Sequence, residues 1–473
     1  MRAPFVSVVL LVLLALGTAL AGEAAPPEAQ PPGGKAAGEI AEPAVPSPES
    51  RARSFVSHLA AGEFDLAAGQ YDETMAAVLP AGKLEATWKA VQAKAGSFEA
   101  IEETRIEEVH GYDVVHVTCR FGNSPLDVKV VYDAKLRVAG LFFAPAGPPP
   151  KASVPSYADP GSYEEKDVTV GSGEWALPGT LTLPREGRPC PALVLVHGSG
   201  PLDRDETIGP NKPFRDLAWG LASRGIAVLR YDKRTFTYRE RLTGAKEPIT
   251  VKEETIDDAL SAVAALRKVP EIDPSRIFLA GHSLGGMLVP RIAGRDDGIA
   301  GFVVLAGGAR PLERMMVEQT RYIAALAGGI SSAEAEAIRK MEEGAARIER
   351  LDPATADGSE PILGAPAAYW LDLKGYDPPA EARSILRPLL ILQGGRDYQV
   401  TAKDFDLWQK ALGSRPNVTL HLFPDLNHLF IPGEGPSTPG EYQKPGNVSP
   451  EVIDRMAGWI LAQVPRATAA ARR

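Results

Sequence analysis

Two hydrophobic rhythms run along this chain, and the second replaces the first after a proline-rich break near residue 150. In the first region, Ser54 to about Leu66 places Phe55, Leu59 and Phe64 on one side, which predicts a helix. Lys83 to Ala95 repeats the pattern with Leu84, Trp88 and Val91. The period then drops to two. Val114–Phe121, Leu126–Tyr132 and Arg137–Phe143 read as strands, separated by the turn-forming runs Gly122-Asn123-Ser124-Pro125 and Asp133-Ala134-Lys135. Helices followed by a strand meander predict a small α+β domain over residues 51–144.

From about Tyr163 the rhythm is that of a longer domain, assigned to 163–466. Lys166–Val170 and Glu174–Leu183 read as an antiparallel pair joined through Gly171-Ser172-Gly173. Leu193–Val196 is a continuous apolar run, as expected of a strand covered on both faces. Next come a helix at Pro213–Arg224, a strand at Ile226–Arg230 and an amphipathic helix at Glu253–Lys268, with Ile256, Leu260, Val263 and Leu266 on its stripe. Apolar runs at Ile277–Ala280, Phe302–Leu305 and Leu389–Leu392, a strand at Val418–Phe423 and a helix from about Pro450 to Gln463 complete the series. This alternation predicts an α/β fold with a doubly wound, mostly parallel sheet. An insertion at 309–383, with helices at Pro311–Ala327, Ser331–Arg350 and Pro366–Leu373, is a cap or lid candidate on the sheet's C-terminal side, with extra helices far from the site as the alternative. Ser331 and Ser332 are its N-cap candidates, with Glu334 placed to back-cap. No internal repeat at solenoid spacing is present.

The termini and composition set the context. Arg2, the apolar run Phe5–Leu16 and the small-x-small site Ala19-Leu20-Ala21 predict a cleaved signal peptide over 1–21, and so a secreted or periplasmic protein. No stable membrane insertion is expected after cleavage, because no later segment is long and apolar enough. Residues 22–50 are rich in Ala, Pro, Gly and Glu and read as a disordered linker. Residues 145–162 begin with Pro145-Ala146-Gly147-Pro148-Pro149-Pro150 and read as a stiff one. The net charge of -9 is diffuse and no basic run exists, so a nucleic-acid partner is not expected. The two cysteines, Cys119 and Cys190, fall in different domains. Two free thiols are expected, with an inter-domain bridge as the alternative. No His/Cys set has metal-ligand spacing, so neither a metal nor an organic cofactor is expected.

One motif carries chemistry. Gly281-His282-Ser283-Leu284-Gly285-Gly286 lies between an apolar strand and a helix start at Met287-Leu288-Val289. That is the context of a Gly-x-Ser-x-Gly nucleophile elbow, with Ser283 as nucleophile. A serine hydroxyl needs a histidine base, and the base needs a carboxylate to orient it. Only His421 and His428 follow Ser283. His421 alternates within a strand, whereas His428 sits in the loop after it, so His428 is the candidate base. Asp397 follows the next-to-last strand in Gln393-Gly394-Gly395-Arg396-Asp397 and is the candidate acid. Asp404, Asp406 and Asp425 are rivals, in a helix or too near His428. An oxyanion hole needs two fixed N–H groups. Leu284 supplies one. The Gly-rich exit His197-Gly198-Ser199-Gly200-Pro201 supplies the other, from Ser199 or, second, Gly200. His197 reads as a structural hydrogen-bonder at that turn.

That exit is followed by Asp203-Arg204-Asp205-Glu206 and Gly209-Pro210-Asn211-Lys212-Pro213. Tyr231-Asp232-Lys233-Arg234 closes the next strand, and Gly394-Gly395-Arg396-Asp397-Tyr398-Gln399-Val400 carries the acid. From about Tyr163 onward these motifs resemble, in order and spacing, the EstD-type bacterial carboxylesterases of the serine α/β-hydrolase superfamily. The first domain resembles the uncharacterised α+β domain often found ahead of such enzymes. The resemblance implies hydrolysis of short-chain acyl esters, a small-molecule ester as substrate, and Ser283, Asp397 and His428 as triad. Peptidase or thioesterase activity on the same fold is the alternative. So is a non-catalytic binding protein, with Trp88, Phe98, Tyr112 and Phe121 lining a pocket; core packing is the simpler use of those aromatics. Oligomeric state is not legible.

Overall fold

A computed structural model describes residues 47–109, 112–133, 135–147, 154–243, 248–326, 330, 332–354 and 361–463. Residues 1–21, expected to be a signal peptide, most of the expected 22–50 linker, Ser331 and part of the expected 145–162 linker lie outside the described residues. The described chain divides into two compact units, 47–147 and 154–463.

In the first unit a four-stranded antiparallel meander, β1 (Phe98–Val109), β2 (Tyr112–Phe121), β3 (Leu126–Tyr132) and β4 (Val138–Pro145), is ordered β1-β2-β3-β4. The helices Pro48–Ala61 and Ala81–Ala95 cover one face. Phe55, Leu59, Leu84 and Trp88 pack there against Val115, Val117, Cys119 and Val128. Trp88 lies 5.9 Å from Phe98 and 5.6 Å from Phe121, so these rings serve the core. Three local expectations change. Pro48, Glu49 and Ser50 belong to the first helix and not to the linker, because Ser47 caps it and Pro48 opens it. The helix expected to reach Leu66 stops at Ala61, where Gly62 turns left-handed at φ 78°, and Phe64–Ala68 is a separate short helix. Strand β1 was not anticipated. Its glutamates mask the alternation, and its register shifts between Ile101 and Glu103.

The second unit is built on an eight-stranded sheet. Its strands are β5 (Tyr163–Val170), β6 (Leu177–Pro184), β7 (Cys190–Val196), β8 (Ala227–Tyr231), β9 (Ile272–His282), β10 (Gly301–Leu305), β11 (Leu389–Gly394) and β12 (Val418–Phe423). Their spatial order is β12-β11-β10-β9-β7-β8-β6-β5. Strands β7 to β12 run parallel; β6 is antiparallel to both its neighbours. The apolar runs are buried on both faces, as a helix-covered parallel sheet requires. Chain order reverses between β7 and β9, which makes the crevice beyond their C-terminal ends the switch point where such sheets bind ligands. Where one amphipathic helix was expected from Glu253, a wide π-type turn at Lys252–Asp257 leads into a helix at Asp258–Leu266.

The insertion between β10 and β11 forms helices at Leu312–Ala325, Ser332–Glu349 and Ala367–Leu373. Met315, Met316, Ala345, Ile348 and Trp370 pack with Leu284, Met287 and Leu288 of the helix that follows β9. Both cysteines are free and buried. Desolvation pushes the Cys119 thiol up to about 12, so it is inert at neutral pH. Among the described residues no helix is long and apolar enough to cross a membrane.

Candidate active site

Ser283 sits between β9 and the helix Leu284–Ala293 at φ 52° and ψ -115°, a strained conformation for a residue with a Cβ. The surroundings hold it there. Its N–H donates to the Leu305 carbonyl at the end of β10, at 2.9 Å. A Cβ on Gly281 would lie 2.2 Å from the Gly285 carbonyl oxygen, and one on Gly285 would lie 2.4 Å from that of Val196. Only glycine lets strand, turn and helix close this tightly. The helix points its free N–H end toward the same crevice.

The base and acid candidates meet over the same edge. Asp397 lies just past β11 and His428 just past β12; both are buried. His428 Nδ1 lies 2.6 Å from Asp397 Oδ2. The carboxylate is fixed from three further sides: Gln399 and Val400 N–H donate to Oδ1 at 2.8 and 3.0 Å, and Gln393 Nε2 donates to Oδ2 at 3.1 Å. With Nδ1–H given to the carboxylate, Nε2 is left as the basic nitrogen. Among the described residues no hydrogen bond joins Ser283 Oγ to the His428 ring, whose Nδ1 partner is Asp397.

The other candidates are placed as follows. Ser199 and Leu284 line one narrow cavity with Ser283, and Leu312, Met315 and Met316 of the insertion line it too. Gly200 is not among the cavity-lining residues; at φ 91° it turns the loop. His197 is buried, bonds to the Asp203 carbonyl at 3.0 Å, and is pushed by burial down to about 4, so it stays neutral. His421 is half-exposed on the edge strand β12. Asp404 is committed to Arg310 and the Ala309 N–H. Asp406 and Asp425 are exposed.

Three residues with no assigned role prove central: Glu206, His282 and Lys233. Glu206 Oε1 accepts from Gly198 N–H at 2.8 Å, and Oε2 lies 2.8 Å from His282 Nδ1, at ion-pair distance though off the line of a hydrogen bond. His282 Nε2 lies 2.9 Å from the His428 carbonyl oxygen. Both ring nitrogens thus face oxygen acceptors, which only the imidazolium satisfies. Burial pushes the His282 imidazole down, but the Glu206 charge carries it above the usual histidine value. Burial also pushes the Glu206 carboxyl up, and His282 brings it below the usual carboxylate range. A motif for Glu206 and Lys233 was visible in the sequence, but nothing local shows what they reach.

The ion pair makes a pH-dependent prediction. The depressed carboxylate stabilises the fold above its unfolded value of about 4.3, and that share is lost as pH falls through the lower folded value. The raised imidazole stabilises below its unfolded value of about 6.5, and that share is lost as pH rises through the higher folded value. Glu206→Gln should therefore cost about 3 kcal/mol between these limits, with the gap to wild type narrowing on both sides. Urea unfolding at a series of pH values reads this. A gap that stays constant across the series would rule out a buried ion pair.

The family described as "Alpha/beta hydrolase family" matches residues 193–440, a span holding the elbow and both loop residues. The chain belongs to the alpha/beta hydrolase family. Its first unit matches, over residues 52–141, a family described as a protein of unknown function, DUF3887. Among curated relatives, Esterase EstD of Thermotoga maritima is 42% identical over 407 residues, covering 86% of this chain and 94% of that protein. Two solved structures are similar at lower identity. Est1E from Butyrivibrio proteoclasticus is 17% identical, covering 63% of this chain and 99% of that one, with a TM-score of 0.41. An esterase of Pyrococcus furiosus is 18% identical, covering 66% and 97%, with a TM-score of 0.39.

Proposed function

We propose that this protein is an exported serine carboxylesterase that hydrolyses short-chain acyl esters through an acyl-enzyme. The observation that carries the reading is the His428–Asp397 pair, 2.6 Å apart, mounted over the same sheet edge as a strained serine elbow. The likeness to Esterase EstD supports the ester as substrate. Ser283 Oγ attacks the ester carbonyl while His428 Nε2 takes its proton. The tetrahedral oxyanion is held by the Leu284 and Ser199 N–H groups, and His428 returns the proton to the departing alcohol. Water, deprotonated by the same imidazole, then releases the acid. Asp397 holds the tautomer that this requires.

The narrow cavity supports short acyl groups. It is walled by Met287, Met315 and Met316, and a Cβ on Gly308 would already lie 2.5 Å from Met315 Cε. Export rests on the Arg2, Phe5–Leu16 and Ala19–Ala21 pattern.

The test is a p-nitrophenyl ester series run beside aminoacyl anilides and acyl thioesters, with a serine-directed phosphonate as label. Turnover of acetate to hexanoate esters in preference to the other two classes, with the label on Ser283, is expected. Preference for the anilides would make the protein a peptidase, preference for the thioesters a thioesterase, and turnover with Ser283 unlabelled would refute the mechanism.

A further inference from the structure

Lys233 is among the most deeply buried charged side chains of the molecule, 1% exposed, and the hydrolytic scheme gives it no task. It lies just past β8, two residues beyond the strand's end. Its ammonium donates to the Gly198 carbonyl oxygen at 2.7 Å and lies 3.2 Å from Glu254 Oε1. Gly198 is thus held at both ends: its N–H by the Glu206 carboxylate, its C=O by the Lys233 ammonium. This glycine lies against the nucleophile, since a Cβ on it would be 3.1 Å from Ser283 Cβ.

The geometry of the next peptide follows. In a trans peptide the C=O of one residue and the N–H of the next lie in one plane and point in opposite directions. Fixing the Gly198 carbonyl toward Lys233 therefore fixes the Ser199 N–H in the reverse direction. Ser199 lines the cavity in front of Ser283. A peptide in a glycine-rich loop can otherwise flip at little cost, turning its carbonyl oxygen toward the place where negative charge develops. A positive charge on that carbonyl also polarises the amide, strengthening its N–H as a donor.

We propose that Lys233 is the positioning residue of the oxyanion hole, its ammonium locking the Gly198–Ser199 peptide with the Ser199 N–H facing the reacting carbonyl. This rests on the reading of Ser283 as nucleophile and Ser199 N–H as one of the two donors. Glu254 supplies the counter-charge that lets a lysine stay buried there, and is itself steadied by Thr235 and Tyr369.

The test compares wild type with Lys233→Met, Lys233→Gln and the double variant Lys233→Met/Glu254→Gln, which leaves no unpaired buried charge. Active sites are first counted with the phosphonate, so that loss of folded enzyme is separated from loss of rate. On p-nitrophenyl acetate, kcat per titrated site should fall about 10- to 100-fold in Lys233→Met, with KM within about twofold. Affinity for a trifluoromethyl ketone, which forms a tetrahedral adduct bearing the oxyanion, should fall in the same proportion. Affinity for the matching unactivated ketone should not change. Gln, whose amide can donate to the same carbonyl, should recover part of both losses. The double variant should behave as Lys233→Met does, and it carries the comparison if the single variant does not fold. Unchanged kcat and trifluoromethyl-ketone affinity per titrated site, beside a lowered Tm, would show that Lys233 only stabilises the fold. Failure of the phosphonate to label Ser283 in wild type would instead strike the proposed function itself.

Discussion

Ser283→Ala is expected to leave a folded protein whose ester hydrolysis is lower by at least about 10³-fold in kcat. The fold should survive because the elbow is held by backbone contacts that alanine keeps. The residue 283 N–H still donates to the Leu305 carbonyl, and Gly281 and Gly285 still allow the close approach of helix to strand. Alanine bears the positive φ no better and no worse than serine, so Tm should move by only a few degrees. What disappears is the hydroxyl proposed to form an ester with the acyl group. The residual rate measures what the N–H donors do by themselves. Activity near wild type in a pure sample, measured by initial rates on p-nitrophenyl acetate, would refute the assignment.

Asp397→Asn should be nearly as damaging, lowering kcat by roughly 10³- to 10⁴-fold at a stability cost of about 1 kcal/mol, because Gln393 Nε2 loses its acceptor at Oδ2. The asparagine carbonyl can still accept from the Gln399 and Val400 N–H groups, so the turn keeps its shape. Its amide then faces His428 Nδ1, where the carboxylate had stood at 2.6 Å. A donor in that place favours the tautomer with the proton on Nε2, and the base is lost. Asp425→Asn, on an exposed side chain, should be silent. Asp404→Asn should lower stability by disturbing the Arg310 pair while leaving kcat per folded molecule intact. A damaged kcat in either of these, with Asp397→Asn active, would move the acid to another position. Initial rates on purified variants, normalised by thermal melts, distinguish the outcomes.

Much of this was written locally. The runs Leu193–Val196, Phe302–Leu305 and Leu389–Leu392 are apolar throughout because each strand is covered on both faces, and composition alone marks that. The elbow was legible because strand, small residues, serine and helix must follow one another in the chain. Asp397 and His428 were legible because each lies directly past a strand that the apolar pattern had already placed. Strand β1 escaped because Glu99, Glu102, Glu103 and Glu107 crowd an exposed edge, where alternation carries no energetic penalty for charge.

The sequence by itself therefore determined the sheet, the elbow and the order along the chain of the candidates Ser283, Asp397 and His428. Tertiary structure alone decided what surrounds them. Glu206 reaches His282, His282 reaches the backbone of His428, and Lys233 reaches Gly198, each across a long stretch of chain. Read locally, these charged residues belong to polar turns that water could solvate equally well. Burial turns them into partners, because an ionised group deprived of water must find its counter-charge or acceptor wherever the fold has brought one. Periodicity records which face of an element is covered. It holds no record of which distant carboxylate meets which imidazole once the strands are side by side.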